Sequence, residues 1–398
     1  MQMASAVVSA VGTGERDPMR VALILALFSA LSIAAVAQNQ GAPAPSLRQQ
    51  VPAPAQQAPP LIKNVTRLVV VPVIVKDSQG QLVSGLTRSD FRILEDNVDR
   101  PIASFSAEPV PMSAVVVLDN DLSDKQAKQV QNSLETVSAA FGPGDEVALE
   151  TYDQFPKTIS NFTADNDTLY TELKRLELAS HSTFVYPDPE TAGPITPSQN
   201  DPTSAVRVKG PPKYQSTSFL DDAIYAAGQM LSDRERQRCA DEEKQAEKLG
   251  QVNQNTCRAV RKIIFVISDG VDARDEKHPY DETLATLLQH DISVFSISVT
   301  RSVPLGKSLL QHGQSQLINY ATNTGGDTFY AAKQKDLDRM YANLTEEARN
   351  EYTLTFQPAP KDTAKDYHSI EVRVENHGTN LDIRTRDGYY LSSVEATP

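Results

Sequence analysis

The chain has 398 residues, of which 40% are hydrophobic and 22% charged, an ordinary globular balance with room for two or three domains and a sizeable core. A formal net charge of -13, without any dense block of Lys and Arg, argues against sequence-independent binding to nucleic acid or anionic lipid. A metal or a cationic partner is the better match.

Residues 1–37 read as a secretory signal. Met19 to Ala37, MRVALILALFSALSIAAVA, carries one Arg, an unbroken apolar stretch and an Ala35-Val36-Ala37 ending that predicts cleavage before Gln38. Glu15, Arg16 and Asp17 make a poor signal start, so translation from Met19 is an alternative. The apolar run of roughly sixteen residues is short for a membrane anchor and no charged stop-transfer flank follows, so no stable span is expected after cleavage. Export to the periplasm, the cell surface or the medium follows from this reading. The absence of a Cys near the cleavage point argues against a lipoprotein.

Residues 38–63 are dominated by Pro, Gln and Ala and predict an extended linker. Over residues 64–110 the pattern becomes strand-like: RLVVVPVIVKD, a turn at Ser78-Gln79-Gly80, then LVSGL, DFRILEDN and PIASFSAE with alternating apolar positions.

Residues 111–350 alternate strand and helix patterns. Ala114 to Leu118, Glu146 to Tyr152, Lys262 to Ile267, Ile292 to Val299 and Thr328 to Ala331 read as strands. Asp124 to Phe141, Asn166 to Leu178, Phe219 to Leu231, Thr283 to His290, Leu317 to Thr322 and Leu337 to Arg349 read as helices. Gly142-Pro143-Gly144 and Gly325-Gly326 read as helix stops. The alternation predicts an α/β fold, a doubly wound mostly parallel sheet with helices on both faces.

Two insertions interrupt it, near 180–214 and 233–257. The first is rich in Pro, Ser and Thr and predicts a surface loop. The second is charged and reads as a helical hairpin or as disorder. It contains the chain's two cysteines, Cys239 and Cys257, which in an exported protein predict a local disulfide; thiols at this spacing without His partners make a weak metal case.

Residues 351–392 return to strands in YTLTFQP, HSIEVRVE and LDIRTRDGYYLS. Neither flank is long enough to bury a core alone, so the two are expected to pair into one β-sandwich with the α/β domain inserted between its halves.

The chemistry concentrates at AVVVLDNDLS, residues 114–123, where an apolar strand ends in Asp119, Asp121 and Ser123. Ligand sites of open α/β sheets lie at the carboxyl ends of strands. These side chains offer only hard oxygen atoms, suited to magnesium, manganese or calcium. A strand end with polar capping residues is the plain alternative.

Asp119-x-Asp121-x-Ser123, Ser218 in STSFLDDAI and Asp269 in IIFVISDG resemble, in order and setting, the von Willebrand factor A domain. That family's metal-ion-dependent adhesion site uses a DxSxS loop, a Thr from a second loop and an Asp from a third. Ser218 stands at the Thr position, with Thr217 as its neighbouring alternative, and Asp269 at the third-loop Asp. VKDSQGQLVSGLTRSDF and RTRDGYY are similar to the flanks of a bacterial von Willebrand factor A-related family described mainly from acidobacteria. The resemblance implies a non-enzymatic module that binds a protein partner. Asp121 departs from the family's Ser, so three carboxylates would face one divalent cation. An additional unit charge at roughly 4 Å contributes about 4 kcal/mol at an effective dielectric near 20, before solvation. This should strengthen cation binding and weaken capture of a partner carboxylate. A degenerate, purely structural site is the competing reading.

The hydrophobic-strand DxD pattern also resembles haloacid dehalogenase-type phosphatases, with Asp119 as nucleophile and Asp121 as general acid; Asp272 and Asp275 would supply later carboxylates. His181, His278, His290, His312, His368 and His377 are scattered and read as surface or loop residues. Asp222 reads as a packing or capping residue at a helix start and Asp221 as exposed. Phe265, Phe295, Phe329 and Tyr330 read as core.

Overall fold

The computed structural model describes residues 68–153, 155–178, 219–250, 257–270, 277–299, 310–331, 333–359, 366–375 and 380–390. The signal and linker segments, the insertion near 180–214, Thr217, Ser218, Asp272 and Asp275 lie outside the described residues.

The amino-terminal flank forms β1 (Val69–Lys76), a 3-10 turn at Arg88–Asp90, β2 (Phe91–Glu95), β3 (Val98–Arg100) and β4 (Ile102–Ser106). Asp96 and Asn97, both at positive φ, make the two-residue turn between β2 and β3, a geometry that Asp and Asn tolerate better than other side chains. The α/β region then runs β5 (Met112–Asp119), α1 (Asp124–Gln131), α2 (Leu134–Ala140), β6 (Glu146–Tyr152), β7 (Pro156–Thr163), α3 (Asn166–Arg175) and α4 (Leu220–Lys248). It continues with β8 (Arg261–Ser268), α5 (Tyr280–Gln289), β9 (Ile292–Ser298), α6 (Leu310–Thr324), β10 (Thr328–Tyr330) and α7 (Gln334–Arg349). The carboxyl-terminal flank supplies β11 (Tyr352–Phe356), β12 (Tyr367–Val374), β13 (Asp382–Thr385) and β14 (Gly388–Tyr390).

The expected α/β architecture is present. Six strands lie in the order β10-β9-β8-β5-β6-β7, parallel throughout except for β7, which returns antiparallel along β6. β5 is central and fully buried because both its faces are covered, which is why it reads as a solid apolar run. Val116 and Leu118 join a core with α1, α2, α3 and α7, while Val115 and Val117 face the opposite core with α4, α5 and α6.

The flanks form two four-stranded antiparallel sheets, β13-β1-β11-β4 and β14-β12-β2-β3. Each contains strands from both ends of the described chain. Val71 and Val73 of β1 meet Phe91, Ile93, Leu354, Phe356 and Val372 in their shared core. The outward face of β1 seals the sandwich against the α/β region. Ile74 enters the α/β core, and Lys76 places its ammonium 2.6 Å from Asp327 and 2.7 Å from Glu347 while lying over the Phe329 ring.

Several local expectations are corrected. The single helix expected over Asp124 to Phe141 is two, because the chain turns at Asn132-Ser133, where the Ser133 hydroxyl donates to the Val130 carbonyl. The charged segment after Leu231 is neither a hairpin nor disordered in its described part: α4 runs unbroken to Lys248, and the disulfide joins Cys239 on the helix to Cys257 on the returning chain. Arg234 pairs with Glu146 and Lys262 with Glu235, fastening this helix to the sheet although its composition is polar. His368 is buried in β12 with Nδ1 2.7 Å from Asp96, not on the surface. Tyr330 is 37% exposed instead of core. Among the described residues no helix is long and apolar enough to cross a membrane.

Candidate metal centre

β5 delivers Asp119 to the carboxyl edge of the sheet, and β8, its parallel neighbour, delivers Ser268 and Asp269 to the same edge. Asp119 is 1% exposed. Its two carboxylate oxygens accept from the Asp121 amide at 2.8 Å and from the Ser268 hydroxyl at 2.7 Å. Ser268 Oγ in turn accepts from the Gly270 amide at 2.9 Å, where Gly270 turns the chain at positive φ. Ser268 therefore fastens the β5 loop to the β8 loop. The sequence reading missed this role; a hydroxyl at the last buried position before Asp269 was the only signal for it.

Burial, reinforced by the negative charge of Asp269, pushes the Asp119 carboxyl up to about 8; the two hydrogen bonds oppose that rise, and the charge of Asp121 adds a smaller push. The Asp119–Asp269 pair thus retains a proton near neutral pH unless a cation replaces it. Asp269 is itself buried, and Asp121 is half-buried.

Ser123, half-buried, is the N-cap of α1. Its hydroxyl donates to Gln126 Oε1, and its amide donates to the same oxygen at 3.3 Å in a capping box. The capping alternative for this residue is therefore realised, and Ser123 would have to exchange the Gln126 contact to serve as a ligand. Ser218 lies outside the described residues. Among the described residues no group of three or more His, Cys, Asp or Glu side chains is arranged to hold a metal ion.

The neighbouring loops are tied to the same edge. The Asn120 amide donates to the Tyr152 carbonyl at 2.7 Å, and the Phe219 amide at the start of α4 donates to the Asp153 carbonyl at 2.9 Å. Asp222 accepts from the amides of Lys277 and His278 at 3.2 and 2.7 Å, so it braces the chain that follows β8 against α4. Asp221 is not exposed as expected: it is 4% exposed and accepts from Tyr320 Oη at 2.6 Å and Gln316 Nε2 at 3.0 Å, locking α4 to α6.

The strand order, the helices on both faces and the meeting of the ends of β5 and β8 with the start of α4 at one edge match the architecture that the sequence resemblance implied. In architecture the central domain is von Willebrand factor A-like.

No protein-family model and no curated protein matches the chain. Among solved structures, the chain is similar to a von Willebrand factor type A protein from Catenulispora acidiphila, at 7% identity, covering 76% of this chain and 74% of that one with a TM-score of 0.39. It is similar to proximal thread matrix protein 1 from the mussel byssus with a zinc-occupied MIDAS motif, at 12% identity, 65% and 50% coverage and a TM-score of 0.35. An aerotolerance-related membrane protein from Bacteroides fragilis gives 10% identity, 59% and 99% coverage and a TM-score of 0.35. The chain spans about half the length of the mussel protein. None of these superpositions is close enough to carry an argument about function.

The donor chemistry at the edge fits a hard divalent cation. Two buried carboxylates within electrostatic reach of each other, with Asp121 and hydroxyl groups beside them, offer oxygen atoms and a negative charge that burial makes costly to leave uncompensated.

Proposed function

We propose that this is an exported, non-enzymatic binding module whose von Willebrand factor A-like domain engages a protein partner through a divalent cation at the carboxyl edge of the parallel sheet. The supporting observation is the buried Asp119 carboxyl, raised to about 8 by burial and by Asp269. Asp119, Asp121, Ser123, Ser218 and Asp269 would hold magnesium, manganese or calcium. A bound cation supplies a coordination position for an oxygen of the partner. The residues of this chain do the rest: Ser268 sets the spacing of the two loops, Asp222 holds the start of α4 against the chain before α5, and Asp221 holds it against α6.

A second reading, a structural module with a degenerate site, is favoured by the Ser123–Gln126 cap and by the lack of a grouped set of three acidic ligands among the described residues. Calorimetric titration with magnesium, manganese and calcium separates the two. The metal reading expects saturable binding in the wild type and its loss in Asp119→Ala and Asp269→Ala; heats at the dilution level in every protein would leave the structural reading.

The phosphohydrolase alternative draws little support. A nucleophilic Asp119 would need an oxygen free to approach phosphorus, yet it is buried and both oxygens accept hydrogen bonds. Magnesium-dependent turnover of p-nitrophenyl phosphate, abolished in Asp119→Asn, would reverse this judgement.

A further inference from the structure

The opposite, amino edge of the parallel sheet holds a second feature. There the beginnings of β8 and β9, the outer face of β1 and the Cys239–Cys257 bridge enclose a cavity of about 360 Å3, within the range of small-ligand sites. Four cationic side chains and three carboxylates line it. Arg261 pairs with Glu351, Lys262 with Glu235 and Arg386 with Asp291. Each carboxylate is thereby matched, and the fourth cation, Arg258, has no ion pair among the described residues.

Arg258 is also held in place. Its amide donates to Glu242 at 2.6 Å and its carbonyl accepts from Arg238 at 2.5 Å, both from α4, and its neighbour Cys257 is bridged to the same helix. The backbone is held while the residue is exposed. Deeper in the wall, Arg261 Nε and Arg386 Nε are buried donors without an acceptor among the described residues, against a single unmatched acceptor, Glu351 Oε1. Burial pushes Glu351 up to about 7 against the pull of Arg261, which further weakens the negative side of the balance near neutral pH. Val70, Leu288 and Ile292 supply apolar wall. A bare inorganic anion would leave that wall wet.

We propose that this cleft binds a carboxylate attached to an apolar body of about dipeptide size, with Arg258, on a backbone held to α4, as the guanidinium that receives the carboxylate. Arginine suits the task because its planar fork meets a carboxylate through two parallel hydrogen bonds. The cleft lies at the far end of the strands from Asp119, so this binding is independent of any cation there.

The test uses N-acetyl-alanyl-leucine and its carboxamide as probes, titrated into the full chain by calorimetry in the presence of EDTA. The free acid is expected to bind saturably, the amide at least tenfold more weakly. Arg258→Ala should remove the preference for the acid and Arg258→Lys should restore part of it. Arg258 is exposed, so these variants keep the fold, checked by unchanged thermal unfolding. No binding of the acid at millimolar concentration, equal binding of acid and amide, or an undiminished preference in Arg258→Ala would overturn the proposal. Acid binding seen only when EDTA is left out would also overturn it, because the probe would then belong to the metal edge. Failure of the metal titration leaves this result unaffected.

Discussion

Asp119 couples any cation at the carboxyl edge to pH. Its carboxyl is raised to about 8, so below that pH a cation must displace a proton, whereas above it the carboxylate is already ionised. Magnesium affinity is therefore expected to rise roughly tenfold per pH unit between about 6 and 8 and to level off above. Titrations in buffers of different ionisation enthalpy should show close to one proton released near pH 7 and almost none at pH 9; pH-independent affinity without proton release would refute the coupling. Glu150 presents the same physics without a ligand. It shares its side of β6 with Ala148 and Tyr152, facing α4, is 1% exposed, and its Oε1 has no hydrogen-bond partner among the described residues. Burial pushes it from 4.5 up to about 8. The folded state then binds a proton that the unfolded state releases, so this residue's contribution to stability falls as pH rises from about 4.5 to about 8. Glu150→Gln should stabilise the protein by about 4 kcal/mol at pH 7.5 and by almost nothing at pH 4. Denaturant melts at both values decide it, and a pH-independent difference would count against the buried-carboxyl account. None of this was legible beforehand, since Glu150 in EVALETY looks like the polar half of an alternating strand.

At the scale of elements, what the sequence revealed depended on how strongly burial shapes the pattern. β5, β6, β8 and β9 read correctly because strands covered on both faces become continuous apolar runs. β7 did not: PKTISNFT is a half-buried edge strand, and its pairing with β6 shifts register twice, which blurs the two-residue period. The pair of acidic loop residues at Asp119 and Asp269 was legible because strand ends carry them to one edge. The Ser268 tie, the burial of Asp221 and the cleft around Arg258 were not, because each depends on contacts between segments distant in sequence. The distal part of α4 was hidden for a different reason. Its Arg, Glu, Gln and Lys residues form helices readily but offer no apolar stripe, so composition could not separate helix from disorder. Beyond Cys239 that helix leans on the Cys257 bridge, which closes a separation of 18 residues. A loop of this size predicts stabilisation of about 3 kcal/mol. The Cys239→Ser, Cys257→Ser double variant should lose about that much and show faster amide exchange over 240–248, with 220–232 unchanged. Uniform acceleration along α4 would mean that the bridge supports the whole helix.

Across the whole molecule, the α/β region enters and leaves through adjacent strands. β4 leads into it and β11 receives the chain back, and the two pair antiparallel, with Ser106 opposite Thr353. That placement lets a large α/β region sit within a sandwich whose core strands come from both ends of the chain, since closing the gap requires only a hairpin turn. The cost of such a topology is that neither flank owns a core: Val71 and Val73 of β1 need Leu354 and Phe356, and Phe91 and Ile93 of β2 need Val372. A chain in which residues 109–350 are replaced by an Asn-Gly turn, with Ile74→Thr to remove the apolar side chain that the α/β core normally covers, is expected to fold as a β-protein with a cooperative thermal transition. Residues 64–108 and 351–392 as separate peptides should each lack such a transition, and should gain it only when mixed. Cooperative melting of either peptide alone would show that the flanks are independent units. Failure of the joined chain, with recovery on restoring residues 109–350, would show instead that the buried Lys76 cluster with Asp327 and Glu347 is needed to hold β1 in register.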